Sequence, residues 1–186
     1  MDYGTSYEKG LMFFKEGKNF LTKENIEYIE KVILGDNFPF YLLSGSVRKD
    51  NYKTMLHILL HRPEENCSNG RLNSPHYDNV ASLVASFFNK FNIKYTEILR
   101  MSVNFTYNNG LKKCPIHEDH DYPHKQLIIY LNDADPCSKT VILDKKNKII
   151  KEIIPEKYKG VCFESSPHYM FFPKKGERII LITTFK

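Results

Sequence analysis

The segment from residue 114 to residue 133 reads CPIHEDHDYPHKQLIIYLND and joins a cluster of polar side chains to an apolar run. Within eight positions, its first half holds three histidines and two aspartates that can bind a metal, namely His117, Asp119, His120, Asp121 and His124. Its second half contains LIIYLN, which has the length and apolar character of a buried strand. Such a cluster indicates either a metal site at the end of a β-sheet or a solvated polar turn.

The composition is that of one globular domain. The chain has 186 residues, of which 41% are hydrophobic and 26% charged, and this is enough for one domain with a substantial core. No window approaches the roughly 18 consecutive apolar residues of a membrane span, and the N-terminus lacks the pattern of a secretory leader. We therefore expect a cytoplasmic protein without a membrane partner. The net charge of +5 comes from scattered lysines, so nucleic acid is a less favoured partner.

Cysteine usage argues against both a disulfide scaffold and a cysteine-based zinc site. The four cysteines are Cys67, Cys114, Cys137 and Cys162. They show neither the CxxC spacing of zinc sites nor the density of small secreted domains. Reduced thiols are expected.

The period of the hydrophobic pattern changes from helical to strand-like near residue 98. Leu99, Met101, Val103, Phe105 and Tyr107 alternate with polar residues, which predicts a strand with these five side chains on its buried face. Short strand-like runs then follow, separated by turn sequences, at 125–131, 140–143, 149–154, 160–163, 168–172 and 178–185. Many short strands joined by tight turns favour a β-sandwich or barrel.

Two amphipathic helices are predicted before these strands. The first spans 23–34, with Thr22 as its N-cap and Gly35 as its stop signal. The second has Ser74 as its N-cap and Pro75 at its first helical position. The apolar face of the second helix is formed by Val80, Leu83, Val84, Phe87, Phe88 and Phe91.

The predicted fold class is therefore α+β, with N-terminal helices packed on one sheet of a jelly-roll β-sandwich. No linker is long enough to separate two domains, so residues 1–186 are expected to form a single domain. Within it, residues 1–97 are predicted to form a helical layer with short strands, and residues 98–186 the jelly-roll core.

A third metal ligand can be sought beyond the opening segment. His117 and Asp119 are two residues apart, so in an extended chain they project to the same side. His168 opens the later strand HYMFF and is the natural third ligand. Two histidines and one carboxylate suit non-heme Fe(II) and dioxygen chemistry. The lack of a cysteine ligand agrees with this chemistry, because a thiolate beside an oxidising iron would itself be oxidised.

Arg178 adds a second, independent signal. It shares one face of the last strand with Ile180, Ile182 and Thr184. An unpaired guanidinium on a mostly apolar face is costly, so it requires an anion. Its planar fork of donors pairs best with a carboxylate.

The arrangement His117-x-Asp119, His168 and Arg178, together with LIIYLN at 127–132, resembles the Fe(II)- and 2-oxoglutarate-dependent oxygenases, most closely their prolyl-hydroxylase-like branch. The resemblance covers roughly residues 99–186 and implies a double-stranded β-helix, the cupin-like form of the jelly roll. It further implies that His117, Asp119 and His168 are the catalytic metal ligands, and that Arg178 binds the distal carboxylate of 2-oxoglutarate.

Two tyrosines acquire a role through the same resemblance. Tyr130 matches a tyrosine that hydrogen-bonds the distal carboxylate, and Tyr107 matches one that lines the cosubstrate pocket. Without the resemblance, each would be expected to be an ordinary core aromatic residue. Ile180 stands where many relatives carry a serine, so one hydroxyl to the carboxylate is missing unless Tyr130 or Thr184 supplies it.

The implied activity is hydroxylation of a C–H bond with dioxygen, with succinate and carbon dioxide as co-products. The substrate would be a protein side chain, such as proline, or a small metabolite. Two alternatives remain at this stage. One is a non-catalytic jelly-roll binding domain, and the other is a zinc hydrolase that uses His117, His120 and His124 with an acidic residue as base.

Overall fold

The structure is a computed structural model, and it describes residues 13–43, 54–65 and 67–186. Parts of the predicted N-terminal layer 1–97, namely 1–12, 44–53 and residue 66, lie outside the described residues. None of the helices in the described ranges is both long and apolar enough to cross a bilayer.

The described residues form ten strands, two α-helices and one π-helical segment. The elements before residue 98 are β1 Phe14–Gly17, α1 Lys23–Tyr28, the π-helical segment Ile29–Ile33, β2 Tyr41–Leu43, β3 Thr54–Leu60 and α2 Tyr77–Phe91. The later strands are β4 Ile98–Tyr107, β5 Lys125–Tyr130, β6 Thr140–Leu143, β7 Ile149–Ile153, β8 Gly160–Glu164, β9 His168–Met170 and β10 Glu177–Phe185. All strands predicted from residue 98 onward are present, with ends within two residues of the prediction.

The first predicted helix is present but changes its hydrogen bonding halfway. Thr22 is its N-cap as predicted, and the side chains of Thr22 and Asn25 each accept from the backbone N–H of the other at 3.2 Å. After Tyr28 the helix widens into the π-helical segment, in which the Leu34 N–H donates to the Ile29 carbonyl at 2.9 Å.

The start predicted for the second helix is wrong. The helix begins at Tyr77 with His76 as its N-cap, and Ser74 and Pro75 form a turn before it. The physical reason is that the Ser74 hydroxyl has other partners, since it accepts from the His76 N–H at 3.1 Å and bonds the His57 ring at 2.7 Å. The predicted apolar face is buried except for Phe91, which is half-buried.

Two antiparallel sheets form the β-sandwich. The larger sheet has the order β1-β8-β5-β10-β4-β3-β2, and the smaller one has the order β7-β6-β9. Helix α2 packs on the outer face of the larger sheet, where Phe87 joins a core with Val103 and Leu181. A second core lies between the sheets and contains Ile180 from the larger sheet and Ile142 from the smaller one. The predicted α+β architecture with helices packed on one sheet is thus confirmed.

Helix α2 comes very close to the larger sheet at Gly160, the first residue of β8. A Cβ atom at this position would lie 2.5 Å from two ring carbons of Phe87. The sheet and helix can keep their spacing only because residue 160 has no side chain.

We expect the variant Gly160→Ala to lower the free energy of unfolding by about 1–3 kcal/mol, because the added methyl group overpacks the contact with Phe87. Urea unfolding followed by circular dichroism measures the change. The matched control is Lys90→Ala on the exposed side of α2, which should be nearly neutral. A Gly160→Ala protein as stable as the wild type would contradict this packing.

Candidate active site

His117 and His168 lie side by side although they are distant in sequence. His117 is in the loop between β4 and β5, and His168 is the first residue of β9. Their backbones form an antiparallel bridge, with hydrogen bonds of 3.0 Å from the His117 N–H and 2.9 Å from the His168 N–H. The two imidazole ring centres are 4.5 Å apart.

Both imidazoles are oriented in the way that metal ligands require. The Nδ1 atom of His117 lies 2.9 Å from the Pro115 carbonyl oxygen, and that of His168 lies 2.9 Å from the Ser166 carbonyl oxygen. A carbonyl can only accept, so each Nδ1 carries the proton and each Nε2 keeps a free lone pair. Burial lowers the pKa of His168 to about 4, so its ring is neutral at pH 7. At His117 the contacts with Cys114 and Asp119 outweigh burial, and the pKa is raised.

Asp119 supplies an ionised carboxylate next to these rings. The side chain is only 3% exposed, and its Oδ1 atom accepts hydrogen bonds from Arg100 at 2.8 Å and Arg62 at 3.4 Å. Burial by itself would raise the pKa of Asp119, but its interactions with Arg100, the two imidazoles and Arg62 hold that pKa well below its ordinary value. The Oδ2 atom has no hydrogen-bond partner in the described part of the chain and lies 3.7 Å from the His168 Nε2.

The donor set fits Fe(II). The Asp119 Oδ2 atom is an orphaned buried carboxylate oxygen, which is costly unless a cation or donor meets it, and the nearby His168 Nε2 has only a long contact of 3.5 Å with the Gln126 amide nitrogen. The three donor atoms do not all lie within 4.8 Å of one another, so binding an ion would draw the side chains together. Among the described side chains, only His61, Glu65 and Cys67 meet that distance, and Glu65 is exposed.

The three predicted ligands line a cavity between the sheets with a volume of about 90 Å³. Strand β10 runs along this cavity. Its Thr184 is paired with Arg100 and Gln126 near Asp119, and its Arg178 is paired with Thr106 further along. The lining residues are Thr54, Leu56, Arg100, Asn104, Thr106, Cys114, His117, Asp119, Gln126, Ile128, Thr140, His168, Tyr169, Met170, Arg178, Ile180 and Ile182.

Arg178 is buried in this cavity without a carboxylate partner. It is 2% exposed, and within the described ranges it forms no ion pair. One terminal nitrogen donates to the Thr140 hydroxyl at 2.8 Å, the other contacts the Met170 sulfur at 3.2 Å, and Nε has no partner. The guanidinium carbon of Arg178 lies 5.3 Å from the ring centre of Tyr130. The Tyr130 hydroxyl forms a hydrogen bond with the Thr140 hydroxyl at 2.9 Å. A buried cation with these neutral neighbours requires an anionic ligand.

Tyr107 is not brought to this cavity, and the prediction that it is buried is wrong. It is 46% exposed at the end of β4 and does not line the cavity. The predicted alternation of β4 is correct, since Met101 and Val103 pack in the core beside α2. The cavity lies on the opposite face, with Arg100 and Asn104, because β4 is an inner strand that is covered on both sides.

His120 and His124 are buried but lie outside the cavity lining. The His120 ring is held on both sides, by Thr184 at 2.7 Å and by Glu64 at 3.3 Å. The Nδ1 atom of His124 lies 2.9 Å from the Tyr122 carbonyl oxygen. Both ring nitrogens of His120 are thus engaged, so His120 has no free nitrogen for the metal of the zinc-hydrolase alternative, which the structure therefore disfavours.

Four residues at the site escaped sequence reasoning, namely Arg62, Arg100, Gln126 and Thr140. Arg100 stands among polar residues of β4 that the alternation alone assigns to solvent. The amide nitrogen of Gln126 lies 3.5 Å from the His168 Nε2, within the cavity lining. Gln126 could have been suspected, since it is a polar residue at the start of an otherwise apolar buried strand.

Comparison with solved structures shows the same fold in oxygenases. An oxidoreductase of the 2OG-Fe(II) oxygenase family from Burkholderia pseudomallei superposes with a TM-score of 0.71 and 14% identity, over 93% of this chain and 84% of that one. A Pseudomonas putida prolyl-4-hydroxylase superposes with a TM-score of 0.59 and 12% identity, over 93% of this chain and 91% of that one. A Trichoplax adhaerens prolyl hydroxylase, solved with a hypoxia inducible factor peptide, superposes with a TM-score of 0.58 and 18% identity. The match covers 92% of this chain and 82% of that one.

These likenesses confirm, at the level of fold, the resemblance found in the sequence. The chain has the fold of the 2-oxoglutarate–Fe(II) oxygenases. No family sequence model matches the chain, and no curated protein matches it in sequence.

The ligand assignment predicts which histidine variants lose metal binding. We expect His168→Ala to weaken Mn(II) binding by more than about tenfold, because it removes one of three ligands. The loss of the free Mn(II) signal in electron paramagnetic resonance measures this affinity. His124→Ala, at a nearby buried imidazole, is the matched control and should bind as the wild type does. Equal losses in both variants would contradict the assignment.

Proposed function

We propose that this protein is an Fe(II)- and 2-oxoglutarate-dependent dioxygenase of the cytoplasm, with its two sheets arranged as a double-stranded β-helix. It hydroxylates a C–H bond of a protein side chain, such as proline, or of a small metabolite, and it releases succinate and carbon dioxide. The observation that carries the proposal is the buried, unpaired Arg178 in the same cavity as the His117, Asp119 and His168 donor set.

The cavity matches both ends of 2-oxoglutarate. Arg178 would bind the distal carboxylate, and the Thr140 hydroxyl, already bonded to both Arg178 and Tyr130, would turn to the same group. Thr140 thus supplies the hydroxyl that Ile180 lacks. The other end of the cosubstrate would chelate iron held by the two imidazoles and Asp119. When bound, Fe(II) supplies dioxygen activation coupled to decarboxylation of 2-oxoglutarate.

Electrostatics also favours a dianion. Arg100 and Arg178 both line the cavity, whereas Asp119 is its single acidic lining residue. A bound Fe(II) ion would add two further positive charges. A ligand with two carboxylates offsets this charge in a site of low dielectric, where uncompensated charge is expensive.

A wide second cleft lies beside the metal ligands and suits a large substrate. It shares His117 with the cavity and is bordered by Glu118, Leu143, Ser165 and Pro167. An open cleft of this kind is better suited to a peptide segment than to a fully enclosed metabolite. The Trichoplax relative, solved with a peptide, supports a protein substrate by analogy. A small metabolite is the second choice of substrate, and nucleic acid is less favoured than either.

The non-catalytic binding domain is the second candidate function. A chain that had lost catalysis would be expected to lose a metal ligand or the carboxylate-binding arginine. All four of these side chains are present, and Asp119, His168 and Arg178 are buried, which supports an enzyme over a binding domain.

Turnover of 2-oxoglutarate tests the proposal. With Fe(II) and air, the wild-type protein should convert 2-oxoglutarate to succinate, and adding prolyl peptides as candidate substrates should accelerate this reaction. Arg178→Met should lower the rate at limiting 2-oxoglutarate by at least about tenfold, because a charge-assisted hydrogen-bond pair is lost.

Succinate is measured by mass spectrometry. Arg71→Met is the control, because Arg71 lies away from the cavity and pairs with Glu97. If the Fe(II)-loaded wild-type protein forms no succinate under any of these conditions, the catalytic proposal is wrong.

A further inference from the structure

Asp119 is held by two arginines that belong to different parts of the chain. Arg100 comes from β4, and Arg62 follows β3. Arg100 bonds Oδ1 at 2.8 Å, Arg62 bonds the same oxygen at 3.4 Å, and a second nitrogen of Arg62 donates to the Asp119 main-chain carbonyl. All of these contacts fall on Oδ1 or on the backbone, and none falls on Oδ2.

One arginine would be enough to neutralise one carboxylate. The second one fixes the orientation instead, because Arg62 holds the main chain of Asp119 while Arg100 holds one carboxylate oxygen. Arg62 is itself anchored by Glu65, at 4.0 Å. Rotation of the Asp119 side chain would break the contact with Arg100 and leave a buried guanidinium unpaired, which is costly.

This orientation has a consequence for metal coordination. A carboxylate can bind an ion through one oxygen or through both. With two imidazoles and a single carboxylate oxygen, a six-coordinate ion keeps about three open positions, whereas a bidentate Asp119 would leave about two. A chelating cosubstrate and dioxygen together need all three.

We propose that Arg100, assisted by Arg62, is a positioning residue that restricts Asp119 to binding the metal through Oδ2 alone and so preserves the third open position. This inference rests on the metal site of the proposed function. It does not require that the protein bind 2-oxoglutarate or catalyse a reaction.

The test counts the water molecules on bound Mn(II), with the metal alone as the probe. Water-proton relaxation should report about three waters in the wild type and about two in Arg100→Met, in which Oδ1 keeps only the longer contact with Arg62 and can join the metal. Mn(II) itself should still bind to Arg100→Met. Arg100→Lys should return the count to three, because an ammonium can still donate to Oδ1. Lys90→Met, on the exposed side of α2, is the control and should also give three bound waters.

The outcomes separate the competing accounts. A count of three in Arg100→Met overturns the proposal and indicates that Arg100 acts elsewhere, for example on a ligand in the cavity. Thermal unfolding identifies a variant that does not fold, and Arg100→Leu, which likewise has no donor for Oδ1, then takes its place with the same expected count of two. A wild-type protein that fails to bind Mn(II) refutes the proposed metal site itself.

Discussion

The register of the central strand β10 between β4 and β5 determines the position of nearly every group at the site. Ile180 lies opposite both Asn104 and Tyr130, and Thr184 lies opposite both Arg100 and Gln126. This pairing directs Arg178, Ile180 and Ile182 into the cavity and Ile179, Leu181 and Phe185 into the core beside α2. A slip of one residue would exchange the two faces and move Arg178 out of the cavity. The cores on both sides of the sheet therefore stabilise the geometry of the site.

The site is built with more positive than negative charge. Within the described ranges, Asp119 is paired with Arg100 and Arg62, and no carboxylate compensates Arg178. A structural role alone would not explain a buried guanidinium that contacts a hydroxyl, a thioether sulfur and an aromatic ring. An anionic ligand that spans the distance from Arg178 to the imidazole pair accounts for both ends of the cavity.

Sequence patterns predicted the parts of the site that local periodicity controls. His117 and Asp119 are two residues apart, and Arg178 lies on a strand with a regular alternation, so their directions could be inferred. Tyr107 and Arg100 were misjudged because alternation does not reveal which covered face of an inner strand borders a cavity. Arg62 was missed because its partner lies in a different segment, and only tertiary structure brings the two together. The start of α2 was misplaced because Ser74 bonds His57 in β3.

The central claim is that one cavity holds both iron and 2-oxoglutarate, and an anaerobic absorbance titration tests it most directly. We predict that neither Fe(II) nor 2-oxoglutarate alone gives the apoprotein a visible charge-transfer band and that both together do. The band should vanish in His117→Ala and should require far more 2-oxoglutarate in Arg178→Ala. If the wild type binds Fe(II) and 2-oxoglutarate then produces no band, the claim is contradicted.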